Sequence, residues 1–201
     1  DSYLVIRKID NKTLNATSSP KDILDYFVTN IKPGQSNLQD LESISEDLGC
    51  KLIENTHTDN KSSTDIHYEL ISNRNNDSCL GLSNWIITKS DGLLKEFHLV
   101  PNSAADIISY KDALKEISTL HVNTKTDILD THDDYKTLNS AVYFDKYGFD
   151  NEGMINFVPL SDFSYEFTQE ENRQKELKEA EERRLAAEKA LNEARTKAGS
   201  Y

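Results

Sequence analysis

Two cysteines, five histidines and a carboxylate-rich composition are what this 201-residue chain offers for chemistry. Cys50 follows a helix-ending glycine, Gly49, and opens an apolar run; Cys79 stands just before a later run of the same kind. Strands built from those runs would bring the two sulfurs to one end of a sheet. Closing a loop of about 30 residues there is worth roughly 3–4 kcal/mol on chain-entropy grounds. A nucleophilic cysteine needs a base placed beside it, and neither Cys50 nor Cys79 sits in a local signature that supplies one. The expectation is a structural disulfide.

The histidines are His57, His67, His98, His121 and His132. No two stand four residues apart as a helical zinc site requires, and there is no Cys-x-x-Cys. The densest set of potential ligands or acid–base groups is His132, Asp133 and Asp134, with Asp127 and Asp130 upstream. With His121 added, residues 121–134 are where a hydrolase would gather a His/Asp site; the plain alternative is a solvated acidic turn. Residues 145–156 resemble an EF-hand calcium loop in opening on Asp145, carrying a central glycine and placing Ile155 two residues after Gly153. They depart from it where Tyr147 replaces the third-position carboxylate, Asp150 the sixth-position glycine and Asn156 the bidentate glutamate. That resemblance implies a calcium-dependent binding domain as a third reading. No glycine-rich phosphate loop and no Gly-x-Ser-x-Gly elbow occurs, so no cofactor is expected.

Charge narrows the partners. The net charge is −12, from 35 acidic and 23 basic residues. Residues 170–197 hold eight of each, so the remaining chain carries the entire excess, 27 acidic against 15 basic. An acidic surface repels nucleic-acid phosphates and anionic lipid and favours a basic protein partner. No stretch of about 18 apolar residues exists to span a bilayer. A start at Asp1 suits a chain whose export signal has been removed, and a cysteine pair suits an oxidising compartment. Together they point to an extracytoplasmic protein, periplasmic, surface-exposed or secreted. Asn-x-Ser/Thr triplets begin at Asn11, Asn15, Asn60 and Asn76, no more than the abundance of these residues produces by chance.

The elements that must position these groups read as α+β. Residues 3–9 are β-branched and apolar and suit a strand. Ser19 caps a helix with Pro20 in its first turn and Ile23, Leu24, Phe27, Val28 and Ile31 at helical spacing. Ser36 and Gln39 suit a capping box for a second helix with Leu38, Leu41, Ile44 and Leu48 on one stripe, and Gly49 ends it. Residues 51–55, 65–72, 84–89 and 93–100 alternate as strands, and Asp91-Gly92 between the last two is a strong hairpin signal. Ser103 and Asp106 begin a third helix whose stripe, Ile107, Tyr110, Leu114, Ile117 and His121, runs at 3-4 spacing. Residues 124–139 read as weakly helical, and 143–167 as irregular short extended pieces. The sum is a mainly antiparallel sheet of about five strands covered by two to three helices, with Phe27, Leu41, Tyr68, Phe97 and Leu114 in one core.

Thr168 and Glu171 suit a last capping box. Beyond them Glu, Ala, Lys, Arg and Leu run without Gly or Pro to Ala198, the composition of a long charged helix. A heptad seam of Leu177, Ala180, Arg184, Ala187, Leu191, Ala194 and Ala198 is too poor in large side chains for a robust homodimeric coiled coil. Leu177, Leu185 and Leu191 fall within a sector of about 120°, and are the expected partner-binding residues. Residues 1–167 thus form an α+β domain, and 168–201 a spacer, stalk or partner-binding helix. The function expected is a non-enzymatic, exported protein-interaction module of bacterial envelope, secretion or surface type.

Overall fold

The hydroxyl of Ser19 accepts a hydrogen bond from the Asp22 N–H at 3.1 Å and starts helix α1 (Pro20–Asn30), which buries Ile23, Leu24, Phe27 and Val28. This is described in a computed structural model covering residues 14–55, 64–125, 131–146 and 152–199. The expected strand at 3–9 lies outside the described residues. Helix α2 (Leu38–Asp47) is capped by Asn37, whose side chain and that of Asp40 exchange hydrogen bonds with each other's backbone N–H. The expected cap at Ser36 is therefore one residue early. Ser36 is buried, and its hydroxyl is turned back to accept from the Lys32 N–H at 3.0 Å. Gly49 follows α2 with a φ of 66°, the left-handed turn that ends a helix at low cost for glycine.

Four strands then form a meander: β1 (Cys50–Glu54), β2 (Ile66–Ser72), β3 (Ser83–Thr88) and β4 (Leu94–Val100), each antiparallel to the next. The β3–β4 turn uses Gly92 at a φ of 81°, with the Leu93 N–H donating to the Asp91 carboxylate at 3.0 Å. Helix α3 (Ala104–Ile117) is capped by Ser103 as expected and ends at Ser118, which removes His121 from its stripe.

A second meander follows, and here the expected five strands become eight. Strands β5 (Leu120–Lys125), β6 (Thr131–Lys136), β7 (Ala141–Lys146) and β8 (Glu152–Val158) complete one antiparallel sheet in the order β1-β2-β3-β4-β8-β7-β6-β5. The segment read as weakly helical, 124–139, supplies the end of β5 and all of β6. Polar residues stand on both faces of β6, so its sequence shows no apolar alternation. Asp134, on β6, is buried and paired across the strands to Tyr143 and Val122. Helix followed by four-strand meander thus occurs twice, and the two halves meet antiparallel where β4 pairs with β8.

One face of the sheet packs against α1, α2 and α3. Phe97, Phe157, Val142 and Tyr135 form one cross-strand row on it and join Phe27, Leu41, Ile107 and Leu114 in a continuous core, with Tyr68 packed against it. The Phe27 and Phe97 rings stand 4.9 Å apart and Phe97 and Phe157 5.4 Å. Outside this unit, Asp1–Asp162, a second begins at Phe163. It consists chiefly of α4 (Ser164–Ala198), 35 residues and about 52 Å long. The helix begins four residues before Thr168, so the expected capping box lies inside it. Phe163 holds the cap position without a side-chain hydrogen bond.

Candidate functional site

Strand alternation separates the residues from which a His/Asp site would be built. His121 on β5 and Asp133 on β6 share the face that carries Tyr135. The His121 ring stacks on Tyr135 at 4.6 Å and 9°, and its Nε2 lies 2.8 Å from Asp133 Oδ1. Asn123 donates to the same carboxylate oxygen at 2.9 Å. Burial works to raise the Asp133 pKa, but the hydrogen bonds from His121 and Asn123, helped by the charges of His121 and Lys111, carry it below the ordinary carboxylate value. Asp134, one residue on, belongs to the opposite face and is buried, so His121 and Asp134, which the hydrolase alternative would bring together, do not converge. Asp127, Asp130 and His57 lie outside the described residues.

The opposite face carries a polar row that sequence reading missed. Cross-strand pairing aligns His98 (β4), Asn156 (β8), Tyr143 (β7) and Asp134 (β6). His98 Nδ1 meets the Asn156 side-chain oxygen, and its Nε2 stands 2.9 Å from Glu96. The ring thereby links β8 to Glu96 on its own strand. The hydrogen bond to His98 is the chief reason the Glu96 carboxyl titrates below its ordinary value, against the opposing effect of burial. Tyr143 is pushed up to about 12, first by burial and then by the negative charges of Glu96, Asp145 and Asp134, with the Asn156 side chain opposing. The amide nitrogen of Asn156 is buried and meets no acceptor among the described residues. One residue hinted at it: Asn156 is the polar member of the otherwise apolar run Met154–Val158.

The cysteine expectation is met. Cys50 and Cys79 are bridged, with Cα atoms 5.9 Å apart, both are 4% exposed, and no cysteine is left as a thiol. The bridge ties the start of β1 to a 3-10 turn at Cys79–Gly81.

Comparisons with protein-family models, curated protein sequences and solved structures find no match. In α4, Leu177, Leu185 and Leu191 leave 56%, 51% and 52% of their surface in water. Ion pairs along the helix hold it: Arg173 to Glu170 at 2.6 Å, and Arg184 to Glu181 at 2.7 Å and Glu188 at 3.3 Å. Arg184, which interrupts the heptad seam, is thus engaged by glutamates a turn away on both sides. No helix among the described residues is long and apolar enough to cross a membrane. Nor do three His, Cys, Asp or Glu side chains among them gather as metal ligands. The strands β7 and β8 flank 147–151, which lies outside the described residues, so Asp145 and Asn156 stand in paired strands and not in an EF-hand's helix–loop–helix setting.

Proposed function

We propose that this chain is a non-enzymatic, extracytoplasmic protein-interaction module whose partner reads the C-terminal helix. The observation that carries this reading is α4 itself, whose three leucines are each about half exposed along a ladder of ion pairs. Burying the remainder of each would contribute roughly 1 kcal/mol, about 3 kcal/mol together. That alone gives a weak association, so contacts to the charge ladder must supply the rest. The complex is therefore weakened by salt. The disulfide suits an oxidising compartment, and the acidic excess in the first unit favours a basic partner over nucleic acid.

The test is recovery of the partner from the native source by the full chain and by a Leu177→Asp, Leu185→Asp, Leu191→Asp variant. All three positions are exposed, so the variant keeps its fold, checked by circular dichroism, and loses the partner. Undiminished recovery would refute the reading. The hydrolase alternative is favoured by the His121–Asp133 pair, but no hydroxyl among the described residues is hydrogen-bonded to the other ring nitrogen, and both cysteines are in the disulfide.

A further inference from the structure

A cleft of about 760 Å³ opens at the disulfide end of the sheet, within the range of roughly 300–1,000 Å³ typical of ligand pockets. Leu48 at the end of α2, Leu80 in the 3-10 turn, Leu14 and Cys50 supply its apolar lining. Leu48 and Leu80 are 7% and 9% exposed, so they form a floor under the opening and not a rim. The rim is polar and includes Arg74 and Asp77.

Three features set this cleft apart. Among the described residues Leu80 and Asn76 are the non-glycine residues with left-handed backbones, at φ 56° and 57°, and both belong to the loop that shapes it. A leucine held in that region is strained, and such strain persists where the surroundings over-determine it, often at ligand clamps. The surroundings do so here. The Ser72 N–H donates to Asp77 O at 2.7 Å, the Asn73 N–H to Gly49 O at 3.1 Å, and the Asn73 amide to Cys50 O at 3.2 Å. Asn102 holds the Gly81 carbonyl at 2.9 Å, and the disulfide closes the frame. The pocket is thus preorganised, which removes ordering cost from binding. Finally, the charges on the rim are unequal in availability. The Asp77 carboxylate is taken by the Asn75 amide at 2.6 Å, whereas the Arg74 guanidinium has no acidic partner among the described residues. An unpaired guanidinium beside an apolar floor is complementary to a carboxylate joined to an aliphatic group.

We propose that this cleft receives the free carboxyl terminus of a peptide ending in an aliphatic residue. The side chain lies over Leu48 and Leu80, and the carboxylate pairs with Arg74. The inference rests on the reading of the chain as a protein-interaction module but uses a surface separate from the α4 leucines. It is tested with the full, oxidised chain and a fluorescein-labelled pool of hexapeptides randomised except for a C-terminal Leu, Ile or Val, followed by fluorescence anisotropy. The free-acid pool binds, and the same pool with amidated C-termini binds at least tenfold more weakly. Arg74→Gln, an exposed position, loses at least tenfold for the acid pool and nothing for the amide pool. The Leu177→Asp, Leu185→Asp, Leu191→Asp variant binds the acid pool unchanged, so failure at the cleft and failure at the helix are told apart. Equal binding of acid and amide, an unaltered Arg74→Gln, or no binding of the acid pool at millimolar concentration overturns the proposal. So does decanoate binding in the absence of peptide binding, which would assign the cleft to fatty carboxylates.

Discussion

Removing the Cys50–Cys79 bridge is the perturbation whose size follows most directly from the fold. The two cysteines are 29 residues apart in sequence. Releasing a loop of that length returns roughly 3–4 kcal/mol of chain entropy to the unfolded state. Both sulfurs are in the core cluster, so the double substitution Cys50→Ala, Cys79→Ala adds a small cavity penalty, while serine would bury a hydroxyl as well. For a domain of this size each kcal/mol moves the melting temperature by about 2–4 °C, so the variant should melt about 6–16 °C below the parent. The assay is thermal unfolding of the oxidised full chain and the double variant, followed by the circular dichroism of the sheet. Burial also protects the bridge: at 4% exposure on each side, a reductant should act quickly only once denaturant opens the loop. A melting temperature within about 2 °C of the parent would refute the reasoning, as would thiol labelling of the untreated native protein.

Two further outcomes are expected. Phe27→Ala deletes a ring that is 2% exposed and stands against Phe97, and should cost about 3–5 kcal/mol in chemical denaturation; a loss under about 1 kcal/mol would show the core is centred elsewhere. Tyr143 keeps its proton in the folded chain up to about 12, whereas an unfolded tyrosine loses it near 10.0. Its contribution is therefore full below pH 10 and lost as pH rises towards 12. Tyr143→Phe should shallow that alkaline decline in the melting temperature, and an identical decline in both proteins would count against a buried, acid-flanked hydroxyl.

Much of the first half of the fold was legible in the sequence because its signals are local. Ser19 with Pro20, the stripe of α1, Gly49 after α2 and the Asp91-Gly92 turn each act within a few residues of where they stand. The cysteine pair was legible as well, since the chain has two cysteines, one opening a strand and the other shortly before the next but one. The charged α4 follows from propensity and short-range ion pairs. What only the tertiary structure decided depends on neighbours far along the chain. Thr131–Lys136 becomes a strand because β5 and β7 offer hydrogen-bonding edges on both sides, which outweighs a sequence without apolar alternation. The same pairing divides Asp133 from Asp134 and sends them to opposite faces, dispersing a cluster that looked dense on paper. It also draws His98, Asn156, Tyr143 and Asp134, from four strands, into one row that no spacing could have announced. The Arg74 cleft has the same origin. Its floor comes from α2 and its rim from the loop after β2, and the disulfide and backbone hydrogen bonds that join them exist only once the sheet has formed.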